Sequence, residues 1–251
     1  MRNFGNSTVR MLMAAVLAAS AAQADDFRVQ AQLVYDKFEP DEESATDVDT
    51  ISLSGTFFFE PVSTDGVPTG EAAYINRASF ANVVASKIDA GDADTDVLQA
   101  NVGYHVPNSI FFGRVGVVRT DIDFGGDSVD DSTLNGTFGI VPIPRLFFGT
   151  DFTEDGYDPN ITARYAGKLS NDHWWAGSIS AIDPDEGDSA VGVEFDYYFP
   201  SFKLGGGFNS GADRISARVE RGLPHGFALQ GSIHTDDFGD GFALQLTWRD
   251  L

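Results

Sequence analysis

The chain has 251 residues, among them 27 Gly and 21 Phe but only three Met and no Cys, and its formal charge is −22. Hydrophobic residues make up 42%, too many for a disordered chain and enough for one large folded domain. The missing Cys excludes disulfide frameworks, thiolate metal sites and cysteine nucleophiles, and the acidity excludes nucleic acid, whose phosphates need clustered Lys and Arg.

The first two dozen residues read as an address. Arg2 and Arg10 supply positive charge, Met11–Ala18 supplies a short apolar run, and Ala22-Gln-Ala24 forms a small-residue cleavage site. A signal peptide is expected over 1–24, with a single β-barrel domain over 25–251. The apolar run is shorter than the ~20 residues a spanning helix needs. No Cys follows it, which excludes a lipoprotein. No later stretch is apolar for long enough to span as a helix, so any membrane role falls to strands.

From Phe27 onward apolar and polar residues alternate, and a strand points successive side chains to opposite faces. In Phe27–Tyr35 the odd positions are mostly apolar, with Arg28, Gln30 and Gln32 between them. The pattern recurs at Ile51–Phe57, Leu98–Tyr104, Leu134–Ile140, Ile161–Leu169, Val191–Tyr197, Ile215–Val219, Phe227–Ile233 and Phe242–Trp248. Less regular runs at 79–87, 110–118, 145–152, 173–182 and 202–208 fill the gaps. The expected fold is all-β: an antiparallel transmembrane β-barrel of about 14 strands, with 12–16 open. Runs of ~10 residues tilted ~40° span roughly 25 Å, the height of a barrel's apolar band.

A soluble periplasmic β-sandwich that binds ligand would also alternate, and the connections separate the two readings. One set is short: Val106–Ser109, Pro142–Pro144, Leu169–Asp172, Phe199–Ser201 and Leu223–His225, with Asp172 its one acid. The other is generally longer: Asp36–Asp49, Lys87–Asp96, Arg119–Asp131, Thr153–Asp158, Asp183–Asp188, Asn209–Arg214 and Thr235–Gly241. This second set holds 27 of the 38 acidic residues. Short turns on one side and longer acidic loops on the other are what an outer-membrane barrel shows. Of the acidic loops, Asp36–Asp49 and Arg119–Asp131 have the length to dip into the lumen.

The connection from Glu60 to Arg77 is long for a periplasmic turn. Here Gly55-Thr-Phe-Phe-Phe-Glu-Pro-Val62 and Gly70-Glu-Ala-Ala-Tyr-Ile-Asn-Arg-Ala78 resemble the signature of proteobacterial general porins. The resemblance covers about twenty-five residues closely. It implies an outer-membrane porin of unassigned substrate, and it brings no catalytic residues. Such barrels end on an aromatic residue read by the assembly machinery. This chain has Thr247-Trp-Arg-Asp-Leu251, so Trp248 would have to serve with three residues behind it.

Strand parity assigns an inner wall. Arg28, Arg114, Arg145, Arg164, Lys168, Lys203, Arg218 and Arg249 face inward against Asp151, Glu194, Asp196 and Glu220, among polar residues such as Gln30 and Gln32. A wall that leans positive favours anions through its local field, unless these charges simply pair across strands. Phe58, Phe112, Phe147 and Tyr198 also fall on the inward parity, while Tyr35, Phe59, Tyr104, Phe152, Phe199 and Trp174-Trp175 fit interfacial girdles. Asp92-Ala-Asp94-Thr-Asp96 and Asp183–Asp188 are weak candidates for loose divalent-cation association, without the spacing of an EF-hand. His234 beside Asp236 and Asp237 reads as an accident of an acidic loop.

The leading expectation is therefore a porin in the cell outer membrane, passing small hydrophilic solutes passively, with no enzyme activity and no cofactor. Its partners would be lipid and lipopolysaccharide, the barrel assembly machinery and solutes, with homo-oligomers left open. A closed structural or receptor barrel with acidic surface loops is the alternative, and the soluble sandwich a second. On the ladder reading, neutralising Arg164 and Arg218 shifts the reversal potential in a planar bilayer towards cations.

Overall fold

Alternating runs become strands that pair, each with its neighbour in sequence, until the last meets the first. The computed structural model describes residues 26–42, 46–154, 156–169, 173–182 and 189–251. The strands are β1 (Asp26–Pro40), β2 (Val48–Ser63), β3 (Phe80–Ala90), β4 (Ala93–His105), β5 (Phe111–Phe124), β6 (Asp127–Ile143) and β7 (Leu146–Thr153). They continue as β8 (Gly156–Lys168), β9 (Trp174–Ile182), β10 (Ala190–Tyr198), β11 (Phe202–Asn209), β12 (Arg214–Gly222), β13 (Phe227–Asp236) and β14 (Gly239–Arg249). One short helix, α1 (Ala72–Ile75), lies between β2 and β3. The sheet is a closed antiparallel barrel of 14 strands, sealed by β1 against β14 from Gln30 opposite Arg249 to Pro40 opposite Gly239. The irregular run at 79–87 is a full member, β3.

Exposure tells the two faces apart. Val115 (64%), Leu134 (57%), Ile215 (58%) and Ile233 (65%) lie open on one face, while Asn101, Thr137, Asp196 and Thr247 are buried on the other. A soluble sandwich would bury the first group and expose the second. The observed arrangement is the reverse, which suits lipid outside and a polar interior, and the sandwich alternative is set aside. Inner residues bond along a polar wall: Asn82 donates to Thr56 at 2.9 Å, and the Ser52 and Ser86 hydroxyls meet at 2.8 Å.

The acidic connections differ from expectation. Lys87–Asp96 and Arg119–Asp131 are strand hairpins closed by tight turns rather than loops, pairing as far as Ala90 with Ala93 and Phe124 with Asp127. The second turn is Gly125-Gly126 with φ of 60° and 99°, the left-handed pair that a two-residue hairpin demands. Of the two stretches expected to be able to dip inside, Arg119–Asp131 instead continues the wall as a paired hairpin. The acids ride on the outer ends of the strands, where water solvates them, and Asp96, Asp121 and Asp130 stand cross-strand in one row. On its other side β6 meets β7 only from Asn135 onward, so the β5–β6 hairpin overtops the wall that follows. The whole of Asp183–Asp188 and the expected leader lie outside the described residues, as do residues 43–45 of Asp36–Asp49.

The stretch that does fold inward comes from the other rim: residues 64–79, the long β2–β3 connection. The register between β1 and β2 breaks between Phe27 and Val29. Phe27 therefore turns inward, against the outward parity expected of it, and Arg28 sits exposed. Lysine at Val115, placed in the lipid-facing belt, should lower unfolding free energy in lipid by about 2–4 kcal/mol. A urea titration of the reconstituted barrel, compared with wild type, measures this.

Candidate functional site

The inward segment is apolar at both of its ends and polar between them, and each part finds a complement on the wall. Near β2, Ala72 is buried with Phe27, Phe58 and Val62, joined by Val67, Ala73, Ala78 and Phe80. Phe27 and Phe58 meet edge to face at 5.5 Å. Across the mouth, Val67, Tyr74 and Ile75 pack on Ala166, Trp174, Ala176 and Tyr198 of β8, β9 and β10. Val67 belongs to both groups, so the segment bridges the periplasmic end of the barrel. Fully burying a side chain the size of Phe or Val contributes roughly 1.5–3 kcal/mol. These two clusters are the main anchors.

Polar contacts then fix the segment's position on the wall. Glu71, 2% exposed, accepts from Arg164 NH2 at 2.6 Å and from the Tyr198 hydroxyl. The Tyr74 hydroxyl lies 2.7 Å from the Arg145 carbonyl and 2.9 Å from that of Arg164. Burial pushes the Tyr74 pKa up to about 12, so it keeps the proton it shares between them. Arg77 adopts a left-handed φ of 53° and donates to the carbonyls of Ser109 and Val141 at 3.3 and 3.4 Å. These ties run along the inner wall from the β4–β5 turn to β10.

The opposite side of the mouth is uncovered. A cavity of about 670 Å³ opens between residues 66–70 and the arc from β10 to β14. Trp174, Tyr198, Lys203, Glu220 and Arg249 line it, with Phe199, Phe202 and Phe227 towards the rim.

The residues expected to line the pore fall in three groups. Four of the eight expected inner cations pair with carboxylates: Arg114 with Asp151 (3.3 Å), Arg164 with Glu71, Lys203 with Glu220 (3.1 Å), and Arg218 with both oxygens of Asp196 (2.8 and 3.0 Å). Arg218 also reaches Glu194 at 3.4 Å. Asp151 further accepts from Thr137 and Asn160. The Arg218–Asp196 pair lies over Gly205, where a Cβ would collide with Asp196 Oδ1 and Arg218 Nε.

A second group has no carboxylate partner among the described residues. Arg145, in the β6–β7 turn with φ 69°, stacks on Trp174 at 4.7 Å, and Arg249 donates through Nε to Gln30 at 2.9 Å. Gln32 accepts weakly from Ser54 at 3.5 Å. The third group lies at the ends: Arg28 and Lys168 are exposed there.

Several expectations about individual residues change. Trp174 is not a girdle residue: it is buried inside, while its neighbour Trp175 faces out against Phe195 at 6.2 Å. Phe58, Phe112, Phe147 and Tyr198 are inside, with Phe112 and Phe147 in edge contact at 5.8 Å. Asp94 pairs with Lys87 at 3.0 Å. Asp92, Asp94 and Asp96 do not converge, and among the described residues no cluster of acids and histidines is arranged to hold a metal. His234 stacks on Phe38, and Asp236 is taken by Arg214. Parity missed Glu71, Tyr74 and Arg77, since it speaks only for strands. The one signal for them was the length of their connection.

Closed sheet, apolar exterior, polar wall and partly covered mouth together define an outer-membrane diffusion barrel. The chain belongs to the family described as "Putative general bacterial porin", whose model matches residues 7–142, and it is accordingly an outer-membrane porin. Among solved structures it is similar to the outer membrane protein Omp33 of Acinetobacter baumannii, with TM-score 0.73 at 16% identity, covering 90% of this chain and 100% of that one. A mutant of the Rh. blastica porin is a more distant likeness, with TM-score 0.43 at 10% identity over 89% of this chain and 99% of that one. No curated protein matches.

Glu71→Ala should strand Arg164 and Tyr198 and loosen the segment. Trypsin cleavage after Arg77 is then expected to quicken about tenfold, the size of one lost charged hydrogen bond. Adding Arg164→Met, which removes the stranded cation, should recover part of the protection.

Proposed function

We propose that the protein is a passive pore for small hydrophilic solutes whose size limit is set at the periplasmic mouth by residues 64–79. The bridging of the mouth by Val67, packed against both walls, is the observation that carries this reading. Solutes would pass on the open side, along β10 to β14. Replacing residues 65–77 with a short turn should raise single-channel conductance severalfold while the heat-modifiable gel shift of a folded barrel persists. Unchanged conductance would place the narrowest point elsewhere, and silence in both proteins would favour the closed-barrel alternative.

We also propose a preference for anions, on different grounds from a simple basic ladder. Arg114, Arg164, Lys203 and Arg218 spend their charge on carboxylates, whereas Arg77, Arg145 and Arg249 at the periplasmic end have no carboxylate partner among the described residues. The field that favours anions would come from this end of the pore. Neutralising Arg164 and Arg218 bares Glu71, Asp196 and Glu194, so a cation shift in that variant reports released carboxylates. Reversal potential in a KCl gradient, measured for wild type and for Arg145→Gln, is the cleaner test: an anion-positive value should fall in the variant. Export by the leader at 1–24 and insertion by the assembly machinery, with Trp248 as its cue, complete the proposal.

A further inference from the structure

We infer that the mouth holds a binding subsite for small organic carboxylates, centred on Arg249. The inference rests on the porin reading above and names the class of solute that its open side would take.

Arg249 is 7% exposed, which makes it the most buried cation of the inner wall. Its Nε is committed to Gln30, and its guanidinium lies 5.6 Å from the centre of the Phe27 ring. Among the described residues its terminal nitrogens make no hydrogen bond, and no carboxylate comes within ion-pair distance. Glu220 is near enough to act on it through space, but Glu220 is held by Lys203, which also donates to Gln230 at 3.0 Å. Counting Lys203, Glu220 and Arg249 together, one positive charge is left over, and it lines the 670 Å³ cavity.

A buried cation without a partner is costly. Elsewhere on this wall the protein supplies one, as Glu71 for Arg164 and Asp196 for Arg218. At Arg249 it supplies an opening instead. A guanidinium with its Nε occupied still offers two terminal nitrogens, the fork that matches the two oxygens of a carboxylate. Tyr198 and Trp174, with Phe202 and Phe227 towards the rim, line the same cavity and give apolar surface for the carbon part of such a solute. An inorganic anion would use the charge and leave that surface idle. The cavity falls within the size range of small-molecule sites. Its openness to the periplasm keeps residence short, as a pore requires.

Succinate and glycerol serve as the charged and neutral probes. In planar bilayers, millimolar succinate should reduce the KCl current of wild type along a saturating curve. Arg249→Gln should weaken that block about tenfold, the loss of one charge-assisted hydrogen-bond pair. Arg249→Lys, which keeps charge without the fork, should fall between them. Glycerol should do nothing.

Tryptophan fluorescence of detergent-solubilised protein gives a second readout that needs no current, because Trp174 lines the same cavity. A saturable change with succinate in wild type, lost in Arg249→Gln, supports the subsite even if no channel is seen. Absence of KCl steps in wild type overturns the pore reading alone. Equal succinate responses in wild type and Arg249→Gln, or inorganic phosphate acting as strongly as succinate, overturn the carboxylate subsite while leaving the pore intact.

Discussion

The seam between β1 and β14 is the contact on which everything else depends. A lipid bilayer offers no hydrogen bonds, so an open sheet edge inside it would leave a row of peptide groups unsatisfied. Eleven residue pairs from Gln30–Arg249 to Pro40–Gly239 close that edge. Once the ring is shut, side chains have only two directions, and strand parity becomes a division between oil and water. Leu33 and Leu246, opposite each other in the seam, face lipid, while Gln30 and Arg249 three places away build the wall of the mouth.

Inside, two forces act on the 64–79 segment with different jobs. Apolar burial holds it in place, since Phe27, Val62 and Ala72 at one end and Trp174 and Tyr198 at the other are nearly sealed from water. The ion pair from Glu71 to Arg164 contributes less net energy, because both groups surrender hydration to make it. What it supplies is register: one guanidinium nitrogen and a phenol hydroxyl converging on one carboxylate oxygen admit few orientations. The same pairing logic empties most of the wall of free charge. In a chain of net charge −22, Arg145 and Arg249 at the periplasmic end have no carboxylate partner among the described residues.

Much of this could be read from the residues alone. Alternation revealed the strands, even the irregular 79–87, because the bilayer forces every spanning run to obey one rule. Gln30, Arg164, Arg218 and Arg249 followed from parity with no knowledge of their partners. Failure came where the rule lapses. Phe27 lies at a register break, and Trp174 lies next to a turn with its face decided by what packs on it. Glu71, Tyr74 and Arg77 belong to a connection, where period two says nothing. The acidic stretch 119–131 looked like a loop because Asp is rare in strands. Above the membrane, however, water solvates Asp on a strand as well as on a loop, and Gly125-Gly126 supplied the turn. Pairing was legible for none of the charges, since partners such as Glu71 and Arg164 stand 93 residues apart.

That separation has a consequence for the order of assembly. Glu71 meets Tyr198 across 127 residues of chain, and the apolar seat for Val67 is made by β8, β9 and β10 together. Without β8 to β10 beside it the segment has only the β1–β2 side to rest on. Seating of the segment therefore waits for strands from both halves of the chain to stand beside it, whichever half pairs first.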